Sequence, residues 1–529
     1  MEYIKNPILP GFNPDPSIIR VGDDYYIATS TFEWFPGVQI HHSRDLVNWE
    51  LVARPLNRVS QLDMRGIPDS CGIWAPCLSY HNGTFYLIYT VVKGFSGIFQ
   101  DTHNYLVSAE DILGEWSEPV YLNSTGFDPS LFHDDDGKKW LLNMTWDFRK
   151  GRNPFGGIIL QEYSPEEKRL VGPVTNIFKG TPLCDTEGPH LYKINGYYYL
   201  ITAEGGTGTN HSVTMARSKS ITGPYEVHPE NPILTARVDP TLELQKSGHA
   251  DIVETQNGEW YMVHLCGRPI PSRGRCTLGR ETCIQKMIWC QDGWLRLEAG
   301  GNKPKVEVPA PKLPRQSVKN RNIRDEFNSD VLDINFQSLR VPLGEDVFSL
   351  KERPGFLRLK GKESLISKFT QSFVARRQQA FCYTATTCIE FEPQSFKQMA
   401  GLICWYNTQN FLYLRITHNE TLGKCLGIIT CDNGAFDHIL DAEISLEGLK
   451  RCYLRVKVDY DKLRFYYSKD GENWIFIGDD FDASKLSDDY VKGWAFTGAF
   501  VGLCCQDLSG LGKHADFDFF EYTEREFQG

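Results

Sequence analysis

Two phrases in this chain set a carboxylate between prolines or aromatics and ahead of a serine. They are Asn13-Pro14-Asp15-Pro16-Ser17 and Gly126-Phe127-Asp128-Pro129-Ser130. A third, Thr186-Glu187-Gly188-Pro189, keeps the proline and offers a glutamate. Taken singly, an Asp before Pro and Ser caps a local turn. Three acids brought together do something else: ionised, they repel, and each raises the pKa of the others. A hard cation could use such oxygens. Glycoside hydrolysis needs the whole set. One carboxylate deprotonates a water, and a protonated carboxyl about 6.5 to 9.5 Å away donates to the leaving oxygen when the water attacks with inversion. A third can hold the acid's pKa high.

Such acids act together only if the fold makes them converge. Five segments share a turn followed by an aromatic-rich strand: GDDYYIATST (22–31), NGTFYLIYTV (82–91), DGKKWLLNMTW (136–146), NGYYYLITAE (195–204) and NGEWYMVHL (257–265). Asn-Gly and Asp-Gly favour tight hairpins, and the residues after them suit a pleated sheet. A short strand precedes each hairpin, and three units carry a matching tail, at a spacing of about 55 to 60 residues. Helical periodicity is absent. A sandwich or solenoid with chance similarity is the plainer reading, but a repeat of four short strands five times over predicts a five-bladed β-propeller. The first strand of each blade lines the central channel, so Asp15, Trp74, Asp128, Glu187 and His249 begin strands around one mouth. Aligned on the proline, Trp74 and Glu187 sit one residue early. Phe32, Trp34, Trp74, Phe127 and Trp146 lie close by in sequence and could cover a sugar ring. Arg280 could bond sugar hydroxyls or pair with a carboxylate. The run GGTGT (205–209) lacks the strand–turn–helix setting of a phosphate loop, which excludes a nucleotide site there.

With 529 residues the chain predicts at least two domains. Residues 1–305 read as the propeller and 306–320, rich in proline and lysine, as a linker. Residues 321–529 read as a jelly-roll-like β-sandwich that contributes to the pocket, with Phe500 in the glycine-flanked TGAFVGL stretch facing the propeller. The fold expected is thus all-β. A net charge of −11 argues against nucleic acid and anionic membranes. No apolar run reaches the roughly 20 residues that span a bilayer, and no signal peptide is evident. Fifteen cysteines without a CxxC pair suit free thiols in the cytoplasm. Five glycosylation-type sequons read as chance.

NPDPS, GIWAP, GFDPS, TEGPHLYK, SGHAD and LGRETCIQ, in that order, resemble the β-xylosidases of glycoside hydrolase family 43 over essentially the whole chain. The resemblance implies a propeller followed by a sandwich. It implies Asp15 as general base, Glu187 as general acid and Asp128 as modulator of the acid's pKa. Arg280, His249, Trp74, Phe32 and Phe127 would surround the sugar, with Phe500 helping to close the pocket. No cofactor is expected to be required, although some relatives hold a calcium ion near the His, here His249. The activity implied is inverting, exo-acting release of xylose from short β-1,4-xylooligosaccharides, with α-L-arabinofuranosidase as side activity or as the main one. Relatives are often dimers or tetramers. A non-catalytic sugar-binding propeller is the reading from another class, but it has no need of a proton donor opposite a base.

Overall fold

The computed structural model describes residues 2–317, 323–438 and 443–525. Its first three hundred residues form five antiparallel blades, each cut from one continuous stretch of chain. Blade 1 runs Ser17–Val21, Asp24–Thr29, Gln39–Ser43 and Glu50–Ala53. The innermost strands of the others are Gly72–His81, Ser130–His133, Glu187–Ile194 and Gln245–Glu254. The hairpins fall where the sequence places them. At Asn82-Gly83 and Asn195-Gly196 both residues have positive φ, the conformation of a two-residue turn that matches strand twist.

The blade entrances share a backbone feature. Every blade has a left-handed residue at the corresponding place by its inner strand: Asp15 (φ 54°), Ala75 (37°), Asp128 (55°), Gly188 (56°) and His249 (49°); Gly72 and Lys246, a few residues earlier in blades 2 and 5, are left-handed as well. In blades 1, 3 and 5 that residue carries the polar side chain itself. In blades 2 and 4 the pocket side chain, Trp74 or Glu187, comes from the residue before it; the strand ladder shifts register at this place in blades 2, 4 and 5. A left-handed Ala or His is uncommon and persists only where its surroundings hold it.

Ring closure brings the ends of the sequence together. The N-terminal arm lies along the third strand of blade 5, Arg280–Trp289. Asn13 N–H donates to the Arg280 carbonyl at 2.9 Å, and Thr282 Oγ1 donates to the Asn13 carbonyl at 2.6 Å. Asp251 of blade 5 accepts from Ser17 Oγ and Ile18 N–H of blade 1 at 3.0 and 2.8 Å. These bonds seat Asp15 beside Arg280, 265 residues away. The segment read as a linker is not free. Glu307–Pro309 forms a ladder with Tyr3–Lys5, because its alternating burial gives Val308 to the core under the N-terminal arm. Residues 318–322, 439–442 and 526–529 of the expected linker and sandwich lie outside the described residues.

The C-terminal part is a sandwich of two antiparallel sheets. Strand Arg451–Asp459 shows why: Cys452, Leu454, Val456 and Val458 face inward and are buried, while their neighbours are more open. The only helical element among the described residues is one 3-10 turn, Ala483–Lys485, and no helix is long and apolar enough to cross a membrane. The sandwich is bound to the propeller by a short ladder between Trp34–Phe35 and Ser338–Leu339 and by Trp34 stacked on Phe500 at 3.7 Å. Both rings are fully buried.

Candidate active site

A cavity of about 290 Å³ opens where the inner strands begin. Asp15, Asp128, Glu187, His249 and Arg280 all line it. Its walls are aromatic: Phe32, Trp74, Phe127 and Trp146, as the sequence suggested, with Phe95, Phe155, Trp494 and Phe496 in addition. Such rings offer flat apolar faces to a sugar, while the few polar groups fix its orientation.

The three carboxyls share one pocket but not one environment. Asp15 Oδ1 accepts from Arg280 Nη1 at 2.9 Å, and Oδ2 accepts from Ser30 Oγ at 2.6 Å. Burial pushes its pKa up, but Arg280, His249 and the Ser30 bond outweigh burial and leave Asp15 below the ordinary carboxylate value. Asp128 Oδ2 accepts from the Gly188 N–H at 3.0 Å. Burial, and then the charge of Asp15, raise Asp128 to about 8. Glu187 keeps part of its surface open to the cavity. Burial first, then Asp128, Asp15 and Asp185, push it well above the ordinary value. The loop leading to Glu187 is pinned by buried Glu204, which accepts from Thr181 N–H at 3.0 Å and from Thr181 Oγ1. A Cβ on Gly188 would come within 3.1 Å of the His249 ring. The glycine after Glu187 therefore serves both the left-handed turn and the approach of His249. Burial depresses His249 to about 4, so it is neutral at neutral pH.

Arg280 ties the site together. Nη1 also donates to Thr207 Oγ1 at 3.2 Å, and Nη2 donates to the Phe496 carbonyl at 3.1 Å. The guanidinium lies 5.3 Å from the Phe32 ring centre and 5.7 Å from that of Phe496. The sandwich thus reaches the site, but through a different residue from the one expected. Phe500 begins a strand and is fully buried behind the pocket wall against Trp34 and Phe12. It does not line the cavity. Phe496 and Trp494, on the loop before that strand, do. Trp34 likewise faces the domain interface rather than the cavity. The GGTGT run holds no phosphate loop; it carries Gly206 and Thr207 into the wall. Thr207, Asp185, His211 and Gln100 were not expected there, because nothing local marks them.

The side chains about His249 do not form a calcium cage. The nearest carboxylate, on Asp128, is 3.9 Å from Nδ1, and a calcium ion takes roughly 6 to 8 oxygens. Burial lowers the pKa of His190, its ring 6.5 Å from that of His249, but Asp251 and then Cys77 outweigh burial and lift it to about 9. Among the described residues no group of three or more His, Cys, Asp or Glu is placed to hold a metal. A calcium ion here would have to draw on water oxygens.

A propeller mouth that keeps one carboxyl ionised and another protonated, under aromatic walls, is the equipment of an enzyme that breaks glycosidic bonds. The model of the glycosyl hydrolases family 43 matches residues 4–295, and that of the beta xylosidase C-terminal concanavalin A-like domain matches residues 324–523. A beta-xylosidase of Bacillus subtilis is 55% identical over 99% of this chain and 100% of its own length. A xylosidase/arabinosidase 43B of Humicola insolens is 51% identical over 99% of this chain and 98% of its own. The crystal structure of a xylan beta-1,4-xylosidase from Bacillus halodurans superposes with a TM-score of 0.97 at 57% identity, covering 98% of this chain and 100% of that one. The chain belongs to glycosyl hydrolases family 43 and is a glycoside hydrolase.

Proposed function

We propose that this enzyme is an inverting, exo-acting β-1,4-xylosidase that releases xylose from the non-reducing ends of short xylooligosaccharides. The observation that carries the reading is the opposed titration of two carboxyls in one small pocket: Asp15 held below its ordinary pKa and Glu187 held well above. Asp15, ionised, takes a proton from a water as the water attacks the anomeric carbon. Glu187 gives its proton to the departing glycosidic oxygen. Asp128 keeps that proton on Glu187 and, through the Gly188 N–H, fixes the backbone next to the acid. Arg280 and His249 meet the sugar's hydroxyls; Trp74, Phe32 and Phe127 pack on its apolar faces. The cavity, about 290 Å³ and roofed by Phe496 and Trp494, suits a chain end better than a chain passing through, which supports exo action. No cysteine is joined in a disulfide, although the Cys266 and Cys283 sulfurs lie 3.0 Å apart, and we assign the enzyme to the cytoplasm as a dimer or tetramer.

The names of the relatives support both xylosidase and arabinosidase action, and xylopyranose and arabinofuranose can present similar hydroxyls to one pocket. We take α-L-arabinofuranosidase as the side activity. The test is the release of xylose from reducing-end-labelled xylotriose, beside an aryl α-L-arabinofuranoside. Labelled xylobiose as the first labelled product, at a rate above arabinoside cleavage, is expected. Labelled xylose first, or a faster arabinoside, would overturn the assignment.

A further inference from the structure

The connector between blades 1 and 2 holds a residue whose contacts reach both walls of the pocket. Ser70 is 1% exposed and left-handed, with φ at 59°. Its carbonyl accepts from Trp74 Nε1 at 3.1 Å, and its Oγ accepts from the Phe496 N–H at 3.1 Å. Trp74 belongs to the propeller wall and Phe496 to the sandwich roof. One residue therefore grips both sides of the cavity by separate atoms.

Ser70 is in turn held from behind. Its N–H donates to Glu33 Oε2 at 3.1 Å. Glu33 is fully buried and lies between the pocket residue Phe32 and the interface residue Trp34. The sandwich's Arg340 closes the set. Its N–H donates to the Glu33 carbonyl at 2.8 Å, its Nε to the Ile67 carbonyl at 2.7 Å and its Nη2 to Asp69 Oδ1 at 2.6 Å. Thr408 donates to the other oxygen of Asp69. Burial, then Asp69, lift Glu33 to about 8, so at neutral pH it is mostly an uncharged acceptor. A left-handed serine persists only when over-determined, and here three groups bond to it directly, Trp74 Nε1, the Phe496 N–H and Glu33 Oε2.

We propose that Ser70 is a positioning residue that locks the sandwich roof to the propeller wall, with Glu33 as its support, and so sets how tightly the terminal sugar is held. The proposal rests on the cavity being the glycone site. Its effect falls on binding shared by ground and transition states, because Ser70 touches neither carboxyl. Loss of such uniform binding raises KM and leaves kcat.

The test compares Ser70→Ala, Glu33→Met and Glu33→Gln on p-nitrophenyl β-D-xylopyranoside and p-nitrophenyl α-L-arabinofuranoside. Ser70→Ala deletes the acceptor for the Phe496 N–H and keeps the carbonyl that holds Trp74. A fivefold to twentyfold rise in KM is expected, with kcat within threefold, on whichever glycoside the unmodified enzyme prefers. Glu33→Met should reproduce the rise. Glu33→Gln, which keeps an acceptor for the Ser70 N–H, should restore KM to within twofold. If the unmodified enzyme prefers the arabinoside, the xylosidase reading fails while the variant ratios still judge Ser70. An unchanged KM in Ser70→Ala, with or without a lower Tm, would overturn the proposal. So would kcat falling as far as kcat/KM, or Glu33→Gln behaving like Glu33→Met.

Discussion

Replacing Arg280 by methionine removes the group that keeps Asp15 ionised. The two charges are 2.9 Å apart, and both residues are 5% exposed. At that distance and an effective dielectric near 20, unit charges attract by roughly 6 kcal/mol. Burial of Asp15 offsets much of this, and an Asp beside an Arg is typically depressed by about 1 to 3 units, or ~1.4 to 4 kcal/mol. Without Arg280 the burial penalty stands against only His249, the Ser30 bond and His211, in falling order. The acid limb of the kcat/KM profile, which reports the base in free enzyme, should move up by about 1 to 3 pH units. The lost sugar contact should cost about 10²-fold in kcat/KM at the plateau, as expected for a hydrogen bond to a charged group. Stability follows with its own sign. A depressed folded pKa contributes above the unfolded value of 3.8 and is lost as pH falls through the folded one. The Tm deficit of Arg280→Met should therefore be several degrees at pH 7 and shrink towards pH 3. Arg280→Lys, which keeps the charge, should leave the limb nearer its original place. An acid limb that stays put or moves down in Arg280→Met would refute the reasoning.

Three other outcomes are expected. Asp128→Asn removes a neighbour whose ionisation, above about pH 8, raises Glu187, so the basic limb of kcat/KM should move down by about 1 to 2 units; an unmoved limb counts against Asp128 as modulator. Glu187→Gln should cost at least about 10²-fold on xylobiose, within the usual range for general acid catalysis, yet spare an aryl xyloside whose leaving group needs no proton; equal losses on both would reject Glu187 as the acid. Phe500→Ala should lower stability by about 3 to 5 kcal/mol, as for other buried aromatics, while KM changes little, because Phe500 packs on Trp34 and not in the cavity; denaturant melts and Michaelis curves separate the two.

How far the sequence could be read follows from which interactions are local. The propeller was legible because each blade is a continuous stretch, so its turn and its strand alternation repeat in the text. Asp15, Asp128 and Glu187 were legible for the same reason: the blade entrance recurs, with a left-handed residue at the same place in each blade. Arg280 was legible as a charged residue in a distinctive phrase, but its bond to Asp15 depends on ring closure between the N-terminal arm and blade 5. The roof was misplaced by four residues, from Phe496 to Phe500. Both are aromatic, both lie near glycines, and only the packing of one domain on the other separates them. Thr207, Asp185 and Ser70 carry no local signal at all. Thr207 and Ser70 take their roles from bonds across blades or across the domain interface, such as Ser70 Oγ to Phe496, 426 residues apart, and Asp185 takes its role from lining the cavity beside Glu187. The strand Glu307–Pro309 was hidden because its partner, Tyr3–Lys5, lies at the other end of the propeller sequence.

Separate base and acid roles for Asp15 and Glu187 require that water attack the anomeric carbon directly. Proton NMR of xylobiose mixed with the enzyme, read on the anomeric signals in the first minutes, tests this most directly. The account predicts α-xylose first, with the β anomer growing only as mutarotation proceeds. β-Xylose first would mean retention through a covalent intermediate, and Asp15 would then be a nucleophile rather than a base.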